Sequence, residues 1–168
     1  MELKLEAGWS YCTQQIIEIE PWLPEGDTIK VLELGAGSST PLLYDYYENK
    51  YDNLKYVCYE NNRDYKVVHK DIILRLYEDI DKVNLGDEIY DIVFVDGPVG
   101  QDRAKWYAKL VGCTAKGTII HIDDCDHFYP LFIKALDKHF TYNVLIENRI
   151  DPQAKGSLPP CWLTVEVT

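Results

Sequence analysis

The stretch Val31-Leu32-Glu33-Leu34-Gly35-Ala36-Gly37-Ser38-Ser39-Thr40 decides the fold. An apolar run breaks at two glycines and gives way to the helical pattern Thr40–Glu48, with Pro41 in the first turn, where a missing N–H is harmless. Gly35 and Gly37 let the backbone turn sharply and approach a ligand closely. The helix start beyond them offers unpaired N–H groups to an anion or carboxylate. A dinucleotide loop would want a glycine at position 40, completing G-x-G-x-x-G, and Thr40 stands there instead. Glu33, two residues before the first glycine, suits a ligand with a cationic portion better than a pyrophosphate.

The same alternation continues outward. Apolar runs fall at Ile29–Leu34, Lys55–Glu60, Ile89–Val95, Thr118–Ile122, Tyr142–Glu147 and Trp162–Val167, with a weaker one at Ile72–Leu76. Helical stretches separate most of them. Ser10 caps a helix to about Glu20 that shows Cys12, Ile16 and Ile19 on one face. Asn62–His69 is a short helix. Gln101–Cys113 carries Ala104, Tyr107, Ala108 and Val111 at i, i+3, i+4, i+7, and Asp126–Lys138 carries Phe128, Phe132, Ala135 and Leu136. The early runs are nearly continuous in apolar residues, as in a parallel sheet covered on both faces. The last two runs are joined only by the loop Asn148–Pro160, which makes them an antiparallel pair at one edge. The expectation is an α/β, Rossmann-like, doubly wound seven-stranded sheet. It is mostly parallel with an antiparallel final strand and has helices on both faces. At 168 residues the chain, 1–168, reads as one domain.

Composition narrows the partners. Asp+Glu number 28 against 17 Lys+Arg, a net charge of 17 − 28 = −11, and the cations are scattered with no run of three. That balance argues against nucleic acid and against an anionic membrane surface. No uncharged stretch approaches the roughly 18–20 apolar residues of a membrane span. The start MELKLEAGWSYC lacks the basic and apolar regions of a signal peptide. Five widely spaced cysteines without a C-x-x-C pair read as reduced, buried thiols and a cytoplasmic location.

In a doubly wound sheet, ligands sit beyond the carboxyl ends of the strands. Each run here is followed by polar residues at that end: Glu33 to Thr40 after the first, Glu60 closing the second, Asp96-Gly97-Pro98 after the fourth, and Asp123-Asp124 after the fifth. Glu60 has two acceptor oxygens that match the vicinal diol of a ribose; a solvated strand-end acid is its plainer role. The set Glu33-x-Gly35-x-Gly37, Glu60 and Asp96 resembles the class I S-adenosylmethionine-dependent methyltransferases, in the order of elements from about Ser10 to Val167. That resemblance implies S-adenosyl-L-methionine as cofactor, with Glu33, Gly35, Ala36, Gly37, Ser38, Ser39 and Thr40 around its methionine part. It also implies Glu60 on its ribose and Asp96 near by. Ser39 stands where many members have a third glycine.

If the fourth and fifth runs are neighbours, Asp96, Asp123 and Asp124 converge as an oxygen-rich site for Mg²⁺, Mn²⁺ or Ca²⁺. The alternative is that Asp123-Asp124 cap the next helix. The arrangement resembles the metal-dependent O-methyltransferases, and Asp96-Gly97-Pro98-Val99-Gly100, with Arg103 shortly after, looks like the segment found in sugar and polysaccharide O-methyltransferases. It departs from the catechol type, because Val99 occupies the place of a lysine base. Asp96, Asp102 and His127 are the candidate bases, beside a metal-bound hydroxide. His121 lies mid-strand and reads as buried and hydrogen-bonded. Trp9, Tyr11 and Trp106 are candidates to stack on a sugar or phenol, with packing as the plainer role; Trp9 and Ser10 are placed to close over the cofactor. The Asn/Asp-Pro-Pro-Tyr/Phe tetrad of amino-group methyltransferases is missing.

The expected activity is O-methylation of a sugar or glycan hydroxyl. Phenol or catechol methylation, metal-independent small-molecule methylation and a non-catalytic nucleotide-binding module are the alternatives. The resemblance and the small size imply an open acceptor site, suited to a small molecule or glycan end, or completed by a second copy of the chain or a neighbouring domain.

Overall fold

The computed structural model describes residues 13–64, 69–125, 128–148 and 161–168. Seven strands form one sheet: β1 (Thr28–Leu34), β2 (Asn53–Glu60), β3 (Ile72–Leu76), β4 (Ile92–Val95), β5 (Ile119–Ile122), β6 (Tyr142–Asn148) and β7 (Trp162–Val167). Their order is β3-β2-β1-β4-β5-β7-β6. The pairs β3–β2, β2–β1, β1–β4 and β4–β5 are parallel, and β7 runs antiparallel to both β5 and β6. This is the expected doubly wound sheet with an antiparallel final strand. The chain reverses direction across the sheet between β1 and β4, so both strands send their C-terminal turns to the switch point.

Alternation along the strands splits the core in two. Leu32, Leu34, Val57, Tyr59, Val93, Val95, Ile120 and Ile122 face one way and pack on α3 (Lys105–Leu110) and α4 (Tyr129–His139) through Trp106, Tyr107, Phe132 and Leu136. Ile29, Val31, Tyr56, Cys58, Ile92, Phe94 and Ile119 face the other way and meet Ile16, Ile19, Leu43 and Tyr47. These last come from α1 (Thr13–Ile19) and α2 (Thr40–Glu48). Strands β4 and β5 are buried along their whole length, which is why their sequences are unbroken apolar runs.

Several boundaries differ from the sequence reading. Strand β4 begins at Ile92 rather than Ile89: the Asp91 carboxylate accepts the Lys30 N–H (2.8 Å) and closes the ladder, leaving Ile89 exposed. Helix Gln101–Cys113 starts as a 3-10 turn, Gly100–Ala104, before α3. Its buried face is Arg103, Trp106, Tyr107 and Leu110, so the Ala104–Val111 stripe is displaced by one residue and Ala108 and Val111 are exposed. Large aromatic rings fill the space under the sheet better than alanines, and they set the rotation of the helix. Residues 61–64 form a bend and turn, while the rest of the expected third helix, 65–68, lies outside the described residues. So do Trp9, Ser10, Tyr11, Cys12, Asp126, His127 and most of the loop before β7. No helix among the described residues is long and apolar enough to cross a membrane.

Candidate functional site

The two glycines of the first loop have different jobs. Gly35 has φ +108, and a Cβ on it would stand 2.2 Å from the Gly97 nitrogen and 2.6 Å from the Gly97 Cα. A Cβ on Gly97 would in turn stand 2.7 Å from the Gly35 Cα. The turn after β1 and the turn after β4 therefore touch backbone to backbone. Leu34 O receives the N–H groups of Asp96 (2.9 Å) and Gly97 (2.6 Å), and Trp106 Nε1 donates to Gly97 O (2.8 Å). Gly37 is the opposite case: its φ is not left-handed, and a Cβ there would meet nothing within 4 Å. Neither strain nor packing asks for glycine at 37, and its open side is where a ligand would approach the backbone.

Glu33 braces the loop from beneath. It is fully buried and accepts from the Thr40 hydroxyl (3.1 Å) and the Tyr56 hydroxyl (3.0 Å), while Gly37 N–H donates to Thr40 Oγ1 (2.8 Å). Burial outweighs those two hydrogen bonds and pushes its carboxyl up to about 8. Ala36, Ser39 and Thr40 are buried around it, and Ser38 is exposed at the tip. The raised carboxyl has a consequence for stability. Between its ordinary value of 4.5 and about 8, folded Glu33 holds a proton that the unfolded chain releases. Its contribution is therefore present at low pH and is lost as pH rises through about 8. The free protein is expected to melt at progressively lower temperature from pH 5 to pH 8, by up to a few kcal/mol of stability (about 1.4 kcal/mol per pH unit). Glu33→Gln should remove Glu33's share and make that decline shallower, the raised Glu60, Asp96 and Asp123 keeping theirs; thermal denaturation across the range checks it, and an unchanged slope would contradict it.

Glu60 closes β2 beside this loop. Its carboxylate takes backbone N–H groups from Asn62 (2.5 Å), Asn61 and Ala36, and burial raises its pKa nonetheless. Each carboxylate oxygen has further lone pairs, so a diol can still be received. A cavity of about 400 Å³ lies to one side, lined by Tyr59, Arg75, Tyr77, Glu78, Lys82 and Asn84. It adjoins Glu60 through Tyr77, whose N–H donates to Glu60 O (3.0 Å) and whose buried hydroxyl has no hydrogen-bond partner among the described residues. The cavity lies beside the ends of β2 and β3, and the carbonyl of its lining residue Tyr59 accepts the Gly35 N–H (2.8 Å).

At the other side of the switch point stand Asp96 and Asp123. Burial first, then the charge of Asp123, pushes the Asp96 carboxyl well above the ordinary range; burial first, then Asp124, raises Asp123. Arg103 moderates both. It is 3% exposed, and its guanidinium donates to Pro98 O (3.2 Å) and Asp123 O (2.5 Å), stands 3.7 Å from Asp96 Oδ1 and lies over the Phe132 ring. From the opposite face, Gln15 Nε2 donates to Asp123 Oδ1 (2.6 Å) and lies 3.4 Å from His121 Nε2. His121 is buried as expected, with Nδ1 2.9 Å from Thr164 Oγ1, and burial lowers its pKa to about 3. Sequence reasoning gave no role to Arg103 or Gln15.

These contacts leave the metal reading without support among the described residues. Among the described residues, no group of three His, Cys, Asp or Glu side chains is arranged to hold a metal ion. Asp96, Asp123 and Asp124 do share a sheet end, but Asp123 is turned to Gln15, Asp96 leans towards Arg103, and Asp124 is exposed with a left-handed φ of 47. Arg103 and Gln15 offset part of the acids' charge, and the acids still raise one another's pKa. Asp102 lies on the exposed side of the 3-10 turn, paired with Lys105 (3.3 Å). His127 lies outside the described residues. Trp106 is fully buried and serves the core and the Gly97 turn rather than a ligand surface.

No protein-family model matches the sequence, and no curated protein matches it significantly. Solved structures do match in fold. The precorrin-6y C5,15-methyltransferase from Geobacter metallireducens GS-15 is 16% identical, with 98% of this chain and 93% of that one covered at a TM-score of 0.64. The ribosomal protein L11 methylase from Lactobacillus delbrueckii subsp. bulgaricus is 11% identical, covering 92% and 76% at 0.64. The plantazolicin methyltransferase BpumL, in complex with a monoazolic desmethylPZN analog and SAH, is 9% identical, covering 83% and 76% at 0.57. The chain has the fold of the class I S-adenosylmethionine-dependent methyltransferases. Those three proteins are named for three unlike acceptors, so the fold does not choose among substrates and the site must.

Proposed function

We propose that the chain is an S-adenosyl-L-methionine-dependent O-methyltransferase acting on a hydroxyl of a sugar or glycan. The observation that carries the cofactor half is the seat at the switch point: the Gly35 and Gly97 turns in contact, Gly37 open on one side, and Glu60 at the next strand end. When bound, the cofactor supplies a methyl group on a sulfonium centre. The chain's residues bind and orient around it. The N–H groups of Gly35, Ala36, Gly37 and Thr40 are taken within the fold. The tip residues Ser38 and Ser39, leading into the start of α2, are therefore the ones placed to offer backbone N–H groups to a carboxylate. Glu60 receives the ribose hydroxyls. Asp96, at the β4 turn, takes the proton from the acceptor hydroxyl as it attacks in line. Asp102 and His127 remain the other candidates for that proton.

The choice of a glycan rests on the resemblance of Asp96-Gly97-Pro98-Val99-Gly100 to sugar O-methyltransferases and on Val99 in place of a lysine. Val99 is 89% exposed, which fits an open acceptor side able to take a chain end, or a second copy or neighbouring domain. Nucleic acid and membrane are not part of this reading. A cytoplasmic location is, on the strength of the cysteine usage alone. No step is routed through a metal, because no group of three His, Cys, Asp or Glu side chains is arranged to hold one among the described residues.

A labelled-methyl transfer screen over sugars, glycan ends and catechols, run with and without EDTA, tests the acceptor. Labelled sugar with turnover unchanged by EDTA is the expected result. Labelled catechol would overturn the sugar assignment, and loss of turnover in EDTA would restore the metal site at Asp96, Asp123 and Asp124.

A further inference from the structure

We propose that Cys125 and Cys161 are an oxidation site, a thiol pair that a peroxide closes into a disulfide tying the end of β5 to the start of β7. Both side chains are buried, at 1% and 3% exposure, and their Sγ atoms are 3.1 Å apart. The backbones are adjacent too: Cys125 N–H donates to Cys161 O (3.2 Å). The fold explains the meeting. Strand β5 pairs antiparallel with β7, with Ile122 opposite Leu163. Two residues beyond the last paired residue the left-handed Asp124 (φ 47) turns the chain, a conformation that aspartate tolerates better than most residues. Cys125 follows that turn and is returned onto the residue preceding β7. A disulfide needs neighbouring backbones and converging Cβ vectors, and here both thiols are already in contact.

Burial selects the co-reactant. A thiol held out of water ionises reluctantly, and a bulky disulfide cannot reach it without local opening. A small peroxide can. One sulfur, as its thiolate, attacks a peroxide oxygen. The S–O bond forms as the O–O bond breaks, and the departing oxygen leaves as water after taking a proton. The second thiol then attacks the resulting sulfenic sulfur, the S–S bond forms, the S–O bond breaks and a second water leaves. Two thiols and one hydrogen peroxide give one disulfide and two waters. Each sulfur loses one electron and each peroxide oxygen gains one.

The bond would join residues 36 apart in sequence, around α4 and β6. It would also pin the Asp123-Asp124 turn from its far side. Closing such a loop restricts the unfolded chain, so the oxidised protein is the more stable form.

The test uses the whole chain and no cofactor, so it is independent of the methyltransferase reading. Reduced protein is treated with a slight excess of hydrogen peroxide. It is then digested under non-reducing conditions and mapped by mass, and its melting point is taken before and after reduction. A Cys125–Cys161 linked peptide is expected, with a melting point higher by on the order of 5–10 °C that a phosphine reductant reverses. Cys161→Ser should lose both the link and the shift. If that variant does not fold, the wild-type peptide map decides alone. Linkage through other cysteines, oxidation of Cys125 or Cys161 to sulfinic acid without a link, or two intact thiols in treated folded protein would each overturn the proposal.

Discussion

Gly35→Ala should cost on the order of 3–5 kcal/mol of folding stability, the largest effect expected of any single methyl group in this chain. Two penalties combine. The φ of +108 belongs to glycine, and the added Cβ would stand 2.2 Å from a backbone nitrogen that has no flexible side chain to swing aside. Relief requires the β1 and β4 turns to separate, which breaks the Leu34 O bonds to Asp96 and Gly97. A domain of this kind has roughly 5–15 kcal/mol in total, so the variant should melt on the order of 10–20 °C lower or accumulate as insoluble chain. Gly97→Ala should be milder, since its Cβ approach is 2.7 Å and its φ is not left-handed. Gly37→Ala should leave the melting point nearly unchanged. Equilibrium denaturation of the three variants checks the ranking, and a Gly35→Ala protein as stable as wild type would mean that the two turns are not seated on each other.

Asp96→Asn is expected to lower the rate of methyl transfer about 10²–10⁴-fold while changing cofactor affinity far less. Asparagine keeps the shape of the β4 turn and the reach to Arg103 but cannot take the acceptor proton. Single-turnover measurement separates the two quantities: a slow chemical step with near-native cofactor dissociation constant is the predicted pattern. A variant that transfers methyl at the native rate would move the proton to Asp102 or His127. Equal loss of binding and rate would make Asp96 a cofactor ligand only.

Elements with strong periodicity were legible in the sequence because their signal is local. The seven strands lie where the apolar runs lie, and β4 and β5 are unbroken runs because both faces are covered. The strand-end acids were legible for a related reason: parallel strands deliver their C-terminal residues to one edge, so Glu33, Glu60, Asp96 and Asp123 meet there without any short-range motif joining them. What those acids do on arrival was not legible. Glu33 reads as an acid for a cationic ligand, yet its carboxylate is spent on Thr40 and Tyr56 beneath the loop. Arg103 was legible only as part of the segment after Asp96; its burial was not, because it depends on Pro98 O, Asp123 O and Asp96, acceptors from two other turns. Gln15 and Asp123 are 108 residues apart. Counting carboxylates predicts a cation between them; only the tertiary structure shows a guanidinium beside Asp96 and an amide on Asp123. Gly35 and Gly37 look alike in sequence, and the difference between a packing glycine and an open one appears only when Gly97 is in place.

The central claim is that this sheet edge binds S-adenosylmethionine, and calorimetric titration with S-adenosylhomocysteine tests it most directly, beside NAD on the same protein. One molecule of S-adenosylhomocysteine per chain is predicted, with no heat from NAD. Gly37→Ala, folded as stably as wild type, should bind at least about tenfold more weakly, the scale of a lost close backbone contact of roughly 1.4 kcal/mol. Absence of S-adenosylhomocysteine binding to folded wild-type protein, or tight NAD binding in its place, would contradict the account.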